Sequence, residues 1–219
     1  MKQLLLVITS SLVLVSTQVW AQFVATTATQ VELESAVTWM FDNELTRYNN
    51  IVQFLPADTL TREQAAKFFW NFAVYLDKES TVPADECQFN DVAWADYTLL
   101  PHIISSCQLG LFKWSQGNFM PFDQLTRAEA LTVVMRTIEG KMNENVVPRW
   151  STYHKKARQL GLTSENDVYS LDAPISRYEI ALILHRASGE NVPELKEHQS
   201  QAQIDELKNL LLTLGLLTQ

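Results

Sequence analysis

The sequence predicts an all-α protein made of three helix–loop–helix repeats and a C-terminal helix. Two observations support this fold class. One motif occurs three times along the chain, and each copy leads into an apolar segment with the capping signals of a helix start. The alternating pattern of a strand bounded by hairpin turns does not occur over any useful length.

The repeated motif is clearest in its first two copies. Residues 54–64 and 119–129 share phenylalanine, proline, aspartate, leucine, threonine and arginine at identical spacing. Residues 171–179 form a weaker third copy, in which the proline and the aspartate are shifted. Repeats of this kind usually stack and bury a shared core, so we expect the three copies to pack against one another.

Each copy of the motif ends in a capping box, in which a serine or threonine is followed three positions later by glutamate or glutamine. The pairs are Thr61 with Gln64, Thr126 with Glu129, and Ser176 with Glu179. Apolar helices are predicted behind the boxes, over residues 65–76, 130–138 and 180–187. A second helix is predicted before each box, over residues 31–48, 94–109 with an interruption near Pro101, and 150–160, and Gly110 and Gly161 follow two of these.

Residues 1–21 have the composition of a secretory signal peptide. Lys2 is their only charge, an apolar run covers residues 4–15, and Val19 and Ala21 are small enough for the −3 and −1 positions of a cleavage site. The run is too short to span a bilayer. We therefore expect the mature chain to begin at Gln22, to have no integral membrane span, and to lie at the cell surface, in the cell wall or in the periplasm.

The segment boundaries follow from the motif and from polar, proline-containing stretches at residues 77–86 and 140–148. The repeats are assigned to residues 23–80, 85–141 and 148–189, and residues 190–219 to a linker and a C-terminal helix. In that helix residues 203–217 place five aliphatic side chains on one stripe. It either braces the repeats, forms an oligomer contact or binds an envelope protein; a membrane-surface role lacks the usual basic face.

Cys87 and Cys107 are the only two cysteines. An oxidising compartment permits a disulfide between them, and two free buried thiols are the alternative. Neither lies beside a histidine or in a close-spaced pair, so a metal site or a thiol nucleophile is not expected.

The charge and the motif content argue against several functions. The formal net charge is -8 at pH 7, which repels nucleic acid at long range. The four histidines fall in unrelated contexts, and nucleophile elbows, phosphate-binding loops and dinucleotide fingerprints are missing. We therefore expect a protein that is not an enzyme and needs no cofactor or metal. A glycan-cleaving enzyme is the least favoured alternative.

The second repeat resembles a complete S-layer homology (SLH) repeat. The resemblance rests on the F-x-D-V element at residues 89–92, Trp94-Ala95, Gly110, the G-x-F-x-P element at residues 117–121 and the L-T-R-A-E element at residues 125–129. The first repeat keeps the second half of this pattern and lacks F-x-D-V. The third has a shortened loop and no G-x-F-x-P. The resemblance covers roughly residues 31–189.

This resemblance implies a pseudo-threefold helical bundle with grooves between the repeats. It also implies non-covalent binding of a secondary cell-wall polysaccharide or a peptidoglycan-linked polymer, often one carrying pyruvyl ketals. An envelope protein that mediates assembly through the same fold, with degenerate glycan grooves, is the alternative.

Five residues are candidates for contact with such a glycan: Arg127, Arg62, Arg177, Trp114 and Thr126. Each arginine lies in the first turn of a helix, where the helix dipole disfavours a cation, so each is expected to have a partner. The partner is either a ligand carboxylate, aided by the helix N–H groups, or a nearby acid such as Asp58 or Asp123. Trp94, Trp114 and Trp150 offer flat apolar faces to sugar rings or pack in the core.

Overall fold

The computed structural model describes residues 30–112, 117–163 and 170–189, and these residues form an α-helical protein. Within them are seven helices and two 3₁₀ turns, Ala84–Glu86 and Ser170–Asp172. The helices are α1 (Gln30–Asp42), α2 (Ile51–Phe54), α3 (Arg62–Tyr75), α4 (Leu100–Gln108), α5 (Arg127–Glu139), α6 (Ser151–Gln159) and α7 (Arg177–Ala187). These residues contain no strand, and the all-α class is confirmed for them. The predicted signal peptide, Trp114 and the predicted C-terminal helix lie outside them.

The helices that follow the capping boxes, α3, α5 and α7, meet at α5, which packs against both of the others. The other helices cover them from outside: α4 packs on α3, α6 on α5 and α1 on α7. The first helix of a sequence repeat therefore packs mainly on the second helix of the repeat before it. The α1 helix, the first helix of the first repeat, packs on α7, the second helix of the third repeat.

The core is built from the repeated positions of the motif. The motif phenylalanines and the residues just before each cap are fully buried: Phe54, Phe119, Leu60, Leu125 and Ile175. Residues 180–184 of α7 are buried without interruption, as expected of a helix with neighbours on all sides. Truncating one of these phenylalanines to alanine should cost about 3–5 kcal/mol of stability.

Two predicted helices are shorter than the sequence pattern indicates. The α1 helix ends at Asp42 rather than at residue 48, because the Asn43 side chain and the backbone N–H groups of Leu45 and Thr46 donate to carbonyls of its last turns. The α4 helix begins at Leu100 rather than at residue 94. The Asp96 carboxylate accepts hydrogen bonds from the backbone N–H and the hydroxyl of Thr98, which fixes a turn in place of a helix.

Cys87 and Cys107 form a disulfide, which decides between the two alternatives left open by the sequence. Both residues are buried. The bond joins the end of the Ala84–Glu86 turn to the last turn of α4, so the polar segment between the first two repeats is held against the helix that covers α3.

Candidate binding site at the helix starts

All three capping boxes are present, at the starts of α3, α5 and α7. In each, the cap hydroxyl accepts the N–H of the third helical residue, whose side chain accepts the backbone N–H of the cap. The bond from the backbone N of the cap to the side-chain oxygen measures 3.2 Å from Thr61 to Gln64, 2.9 Å from Thr126 to Glu129 and 2.8 Å from Ser176 to Glu179. Thr126, a candidate glycan contact, therefore has its hydroxyl engaged by its own helix.

The three capping segments also pair with one another in one register. Isolated antiparallel bridges join each cap residue to the residue two positions before another cap: Thr61 to Gln124, Thr126 to Pro174, and Ser176 to Thr59. The N–H of the arginine after each cap donates to the carbonyl three positions before that other cap: Arg62 to Asp123 at 2.9 Å, Arg127 to Ala173 at 3.0 Å, and Arg177 to Asp58 at 2.8 Å. The three junctions between capping segments therefore share one register and one backbone hydrogen bond from the arginine.

Arg62 is held inside the protein. Its Nη1 lies 2.7 Å from Glu129 Oε1, and its Nε donates to the carbonyl of Phe119 at 2.9 Å. The guanidinium lies over the rings of Phe112 and Phe119, and the residue is only 5% exposed. A small crevice of about 140 Å³ adjoins Arg62 and Glu129, with Trp150 on its wall.

Arg127 is held in the same way at the next junction. Its Nη2 and Nε lie 2.7 and 2.9 Å from Glu179 Oε1, and its Nη1 is 3.3 Å from the carbonyl of Ser170. The Glu179 side chain is 2% exposed and that of Arg127 is 23% exposed. Arg127, which belongs to the repeat with the most complete motif, is therefore paired with a carboxylate of the protein itself.

Asp58 and Asp123, the acids named as examples of internal partners, form no ion pair with these arginines in the described part of the chain. At the first two junctions their place is taken by the glutamates of the capping boxes. The sequence shows these glutamates as caps, but it does not show that each has a second oxygen left to bind the arginine of another repeat. That pairing depends on the register between the segments.

Arg177 differs from the other two arginines. Its guanidinium lies 4.8 Å from the ring centre of Phe54, 5.3 Å from that of Tyr48 and 5.6 Å from that of Phe68. Within the described part of the chain, its side chain makes no hydrogen bond or ion pair, and its buried Nε is unsatisfied. The residue as a whole is only half-buried, so part of it remains accessible to a ligand.

The electrostatic surroundings of Arg177 agree with this geometry. Burial is the largest influence and lowers the pKa of the guanidinium. Tyr48 and Asp58 act in the opposite direction, and the positive charge of Arg47 lowers the pKa further. Asp58 thus acts on Arg177 through its field without forming an ion pair with it.

The helix N–H groups do not supply the anion site that the sequence predicts at α7. The N–H of Arg177 donates to Asp58, that of Tyr178 to the Pro56 carbonyl, and that of Glu179 to the Ser176 hydroxyl. With all three bonded inside the protein, recognition of an anion at this helix start depends on the guanidinium. The aromatic residues around it, of which only Phe54 belongs to the motif, were not predicted.

The tryptophans have different roles. Trp94 is 85% exposed, as is Tyr97 three residues later, so Trp94 is not a core residue. Trp150 is half-buried and packs edge-on against His154, with ring centres 6.0 Å apart. Trp114 lies outside the described residues.

Asp91, the acid of the F-x-D-V element, binds backbone N–H groups of the loop before α5. Its two carboxylate oxygens accept the N–H groups of Phe119 and Met120 at 2.8 and 2.7 Å. Gly117 begins this loop with a φ of +80°, and a Cβ there would lie 2.6 Å from the Asn90 side chain. The motif residues of the second repeat therefore shape its loop.

In residues 30–112, 117–163 and 170–189, no group of three or more His, Cys, Asp and Glu side chains is arranged to hold a metal ion. None of the helices in those ranges is both long and apolar enough to cross a membrane. No protein-family model matches the chain, and a comparison with curated proteins finds no significant match.

Proposed function

We propose that this chain is a non-catalytic protein of the cell envelope that binds an acidic secondary cell-wall polysaccharide through SLH-like repeats. The acidic group is a carboxylate such as that of a pyruvyl ketal. Arg177, at the junction between the third and first repeats, is the residue that receives it.

The repeat architecture in this proposal is a pseudo-threefold bundle. It is supported by the common register of the three bridges and by the packing of α4 on α3, α6 on α5 and α1 on α7. An arrangement of three equivalent junctions accounts for both observations, including the contact between the first and last helices. Each junction then places one first-turn arginine beside the capping box of another repeat.

The observation that carries the proposal is the unpaired guanidinium of Arg177. A buried donor without an acceptor costs about 1–3 kcal/mol, and a cation in the first turn of a helix also lies against the helix dipole. The other two arginines offset these costs with a glutamate of the protein. A ligand carboxylate would do the same for Arg177, because its two oxygens match the planar guanidinium.

The aromatic rings around Arg177 favour a carboxylate ligand over a simple counterion. Phe54 and Phe68 are buried, so they keep water from one side of the guanidinium. A charge-assisted hydrogen bond is stronger where water is excluded. The rings also hold the guanidinium plane in position, which lowers the entropy lost on binding.

The test is co-sedimentation with purified cell-wall sacculi, before and after chemical removal of the wall polysaccharide. The chain should sediment only with sacculi that keep the polymer, and Arg177→Gln should abolish this. Because Arg177 has no ion pair to lose, the variant should remain folded, as circular dichroism and the melting temperature would report.

Arg158→Gln, which removes an exposed arginine from α6, is the matched control and should sediment like the wild type. Sedimentation of Arg177→Gln at the wild-type level, or of the wild type with stripped sacculi, would refute the proposed chemistry.

A second candidate function is an assembly subunit that binds an envelope protein. The observation that favours it is the exposure of Trp94 and Tyr97 on one short segment, since large exposed rings are enriched at interaction surfaces. Replacing both by serine should then release a co-purifying envelope protein while sedimentation with sacculi is unchanged. If this double variant leaves the set of co-purifying proteins unaltered, this candidate is removed.

A further inference from the structure

We infer that Gln64 is the residue that determines which junction is open to an acidic ligand: by replacing the glutamate found in the other two capping boxes, it leaves Arg177 unpaired. This inference rests on the proposed function and names the residue that gives the site its specificity.

The three junctions are equivalent in register. Ser176 bridges to Thr59 as Thr61 bridges to Gln124 and as Thr126 bridges to Pro174. The backbone of Arg177 donates to Asp58 in the same register in which Arg62 and Arg127 bind their own acceptors. Arg177 is therefore related to the capping box at Thr61 as Arg62 is to the box at Thr126.

The three capping boxes differ at their third helical residue. At the junction of Arg62 this residue is Glu129, and at the junction of Arg127 it is Glu179. In both, Oε1 of the glutamate pairs with the arginine while Oε2 accepts the backbone N–H of the cap, so the junction is closed to a ligand. At the third junction the residue is Gln64, whose Oε1 accepts the N–H of Thr61. An amide has only one oxygen and no charge, so it can serve the cap but cannot also neutralise an arginine.

A glutamate at position 64 should close the third junction. Gln64→Glu keeps the capping box, because glutamate performs the same capping function at α5 and α7. It also supplies the second oxygen, so Arg177 should acquire an internal ion pair. A ligand carboxylate would then have to displace that pair, and binding at this junction should be lost.

Two measurements test the inference: thermal unfolding without ligand reports the ion pair, and a titration reports ligand binding. A double-mutant cycle of Gln64→Glu, Arg177→Gln and the double variant measures their coupling by thermal unfolding, with no ligand present. The single Gln64→Glu change should raise the melting temperature by about 2–4 °C, and the same change in the Arg177→Gln background should not raise it.

Binding is measured by titration with a methyl hexopyranoside that carries a pyruvyl ketal, with the unsubstituted glycoside as control. Gln64→Glu should weaken binding of the ketal by at least about tenfold. Asn145→Asp, which adds the same charge at an exposed position on the loop after α5, should bind like the wild type.

The outcomes are distinguishable. Absence of thermal coupling between positions 64 and 177 would overturn the inference, as would unchanged ketal binding by Gln64→Glu. Thermal coupling in a protein that binds neither the ketal nor sacculi would support the pairing of the two positions and overturn the proposed function.

Discussion

Glu179 serves two helix starts at once: Oε2 accepts the backbone N–H of Ser176 at 2.8 Å, and Oε1 lies 2.7 Å from Nη2 of Arg127. Glu129 does the same for Thr126 and Arg62. One carboxylate therefore caps a helix within its own repeat and neutralises a cation of another. This double use explains how a short local motif also joins repeats that are distant in sequence.

The first prediction concerns this carboxylate. Glu179→Gln should lower the free energy of unfolding by roughly 3 kcal/mol, because it removes the buried carboxylate that binds the guanidinium of Arg127 and replaces it with a neutral amide. Urea unfolding at neutral pH measures the change. Glu139→Gln, which breaks a 3.7 Å pair with Lys156 in which both side chains are at least a third exposed, is the control. It should change stability by no more than about 0.5 kcal/mol. Equal effects of the two substitutions would contradict the prediction.

The second prediction concerns the disulfide between Cys87 and Cys107. Replacing both cysteines with alanine should cost about 3 kcal/mol, since the bond closes a loop with a sequence separation of 20 residues. Adding a reductant to the unfolding experiment should destabilise the wild type and leave the double variant unchanged. If the reductant lowers the stability of both proteins equally, the effect does not come from this bond.

The third prediction concerns Gly117. Gly117→Ala should destabilise the protein by about 1–2 kcal/mol, because an alanine with positive φ is strained and its Cβ meets the Asn90 amide nitrogen. A second substitution, Asn90→Ala, should recover only the part that comes from the steric contact. Full recovery of the stability in the double variant would show that the positive φ of the alanine does not destabilise the protein. Thermal unfolding of the two single variants and the double variant distinguishes these cases.

The fourth prediction concerns pH. His102 lies against Trp70, with ring centres 4.8 Å apart, and burial followed by the charge of Lys67 lowers its pKa below the usual value of 6.5. The unfolded chain therefore takes up a proton before the folded protein does. Stability should fall as the pH decreases from about 6.5 through the folded-state pKa of His102.

A titration of the His102 ring protons by NMR checks this prediction. Lys67→Met should raise the pKa only part of the way to 6.5, because burial is the larger cause. A wild-type pKa at or above 6.5 would contradict the assignment.

Much of the local structure can be read directly from the sequence. The starts of α3, α5 and α7 follow from a hydroxyl and an amide or carboxyl three residues apart, which is chemistry confined to one turn. Pattern alone is less reliable where side chains compete with the helix, as at Asp96 and Asn43. There, hydrogen bonds to the nearby backbone fix turns over segments that the hydrophobic pattern assigns to helices.

The sequence by itself determined the helical class, the three capping boxes and the two cysteines available for a bond, because each depends on residue type and short-range spacing. Only the tertiary structure decided which arginine is left unpaired. The glutamate that pairs with Arg62 or with Arg127 comes from another repeat, and the register between segments far apart in the chain selects it. The arginine of the most complete motif, Arg127, is paired with Glu179, whereas the Nε of Arg177, in a much weaker copy, is buried without a hydrogen-bond partner.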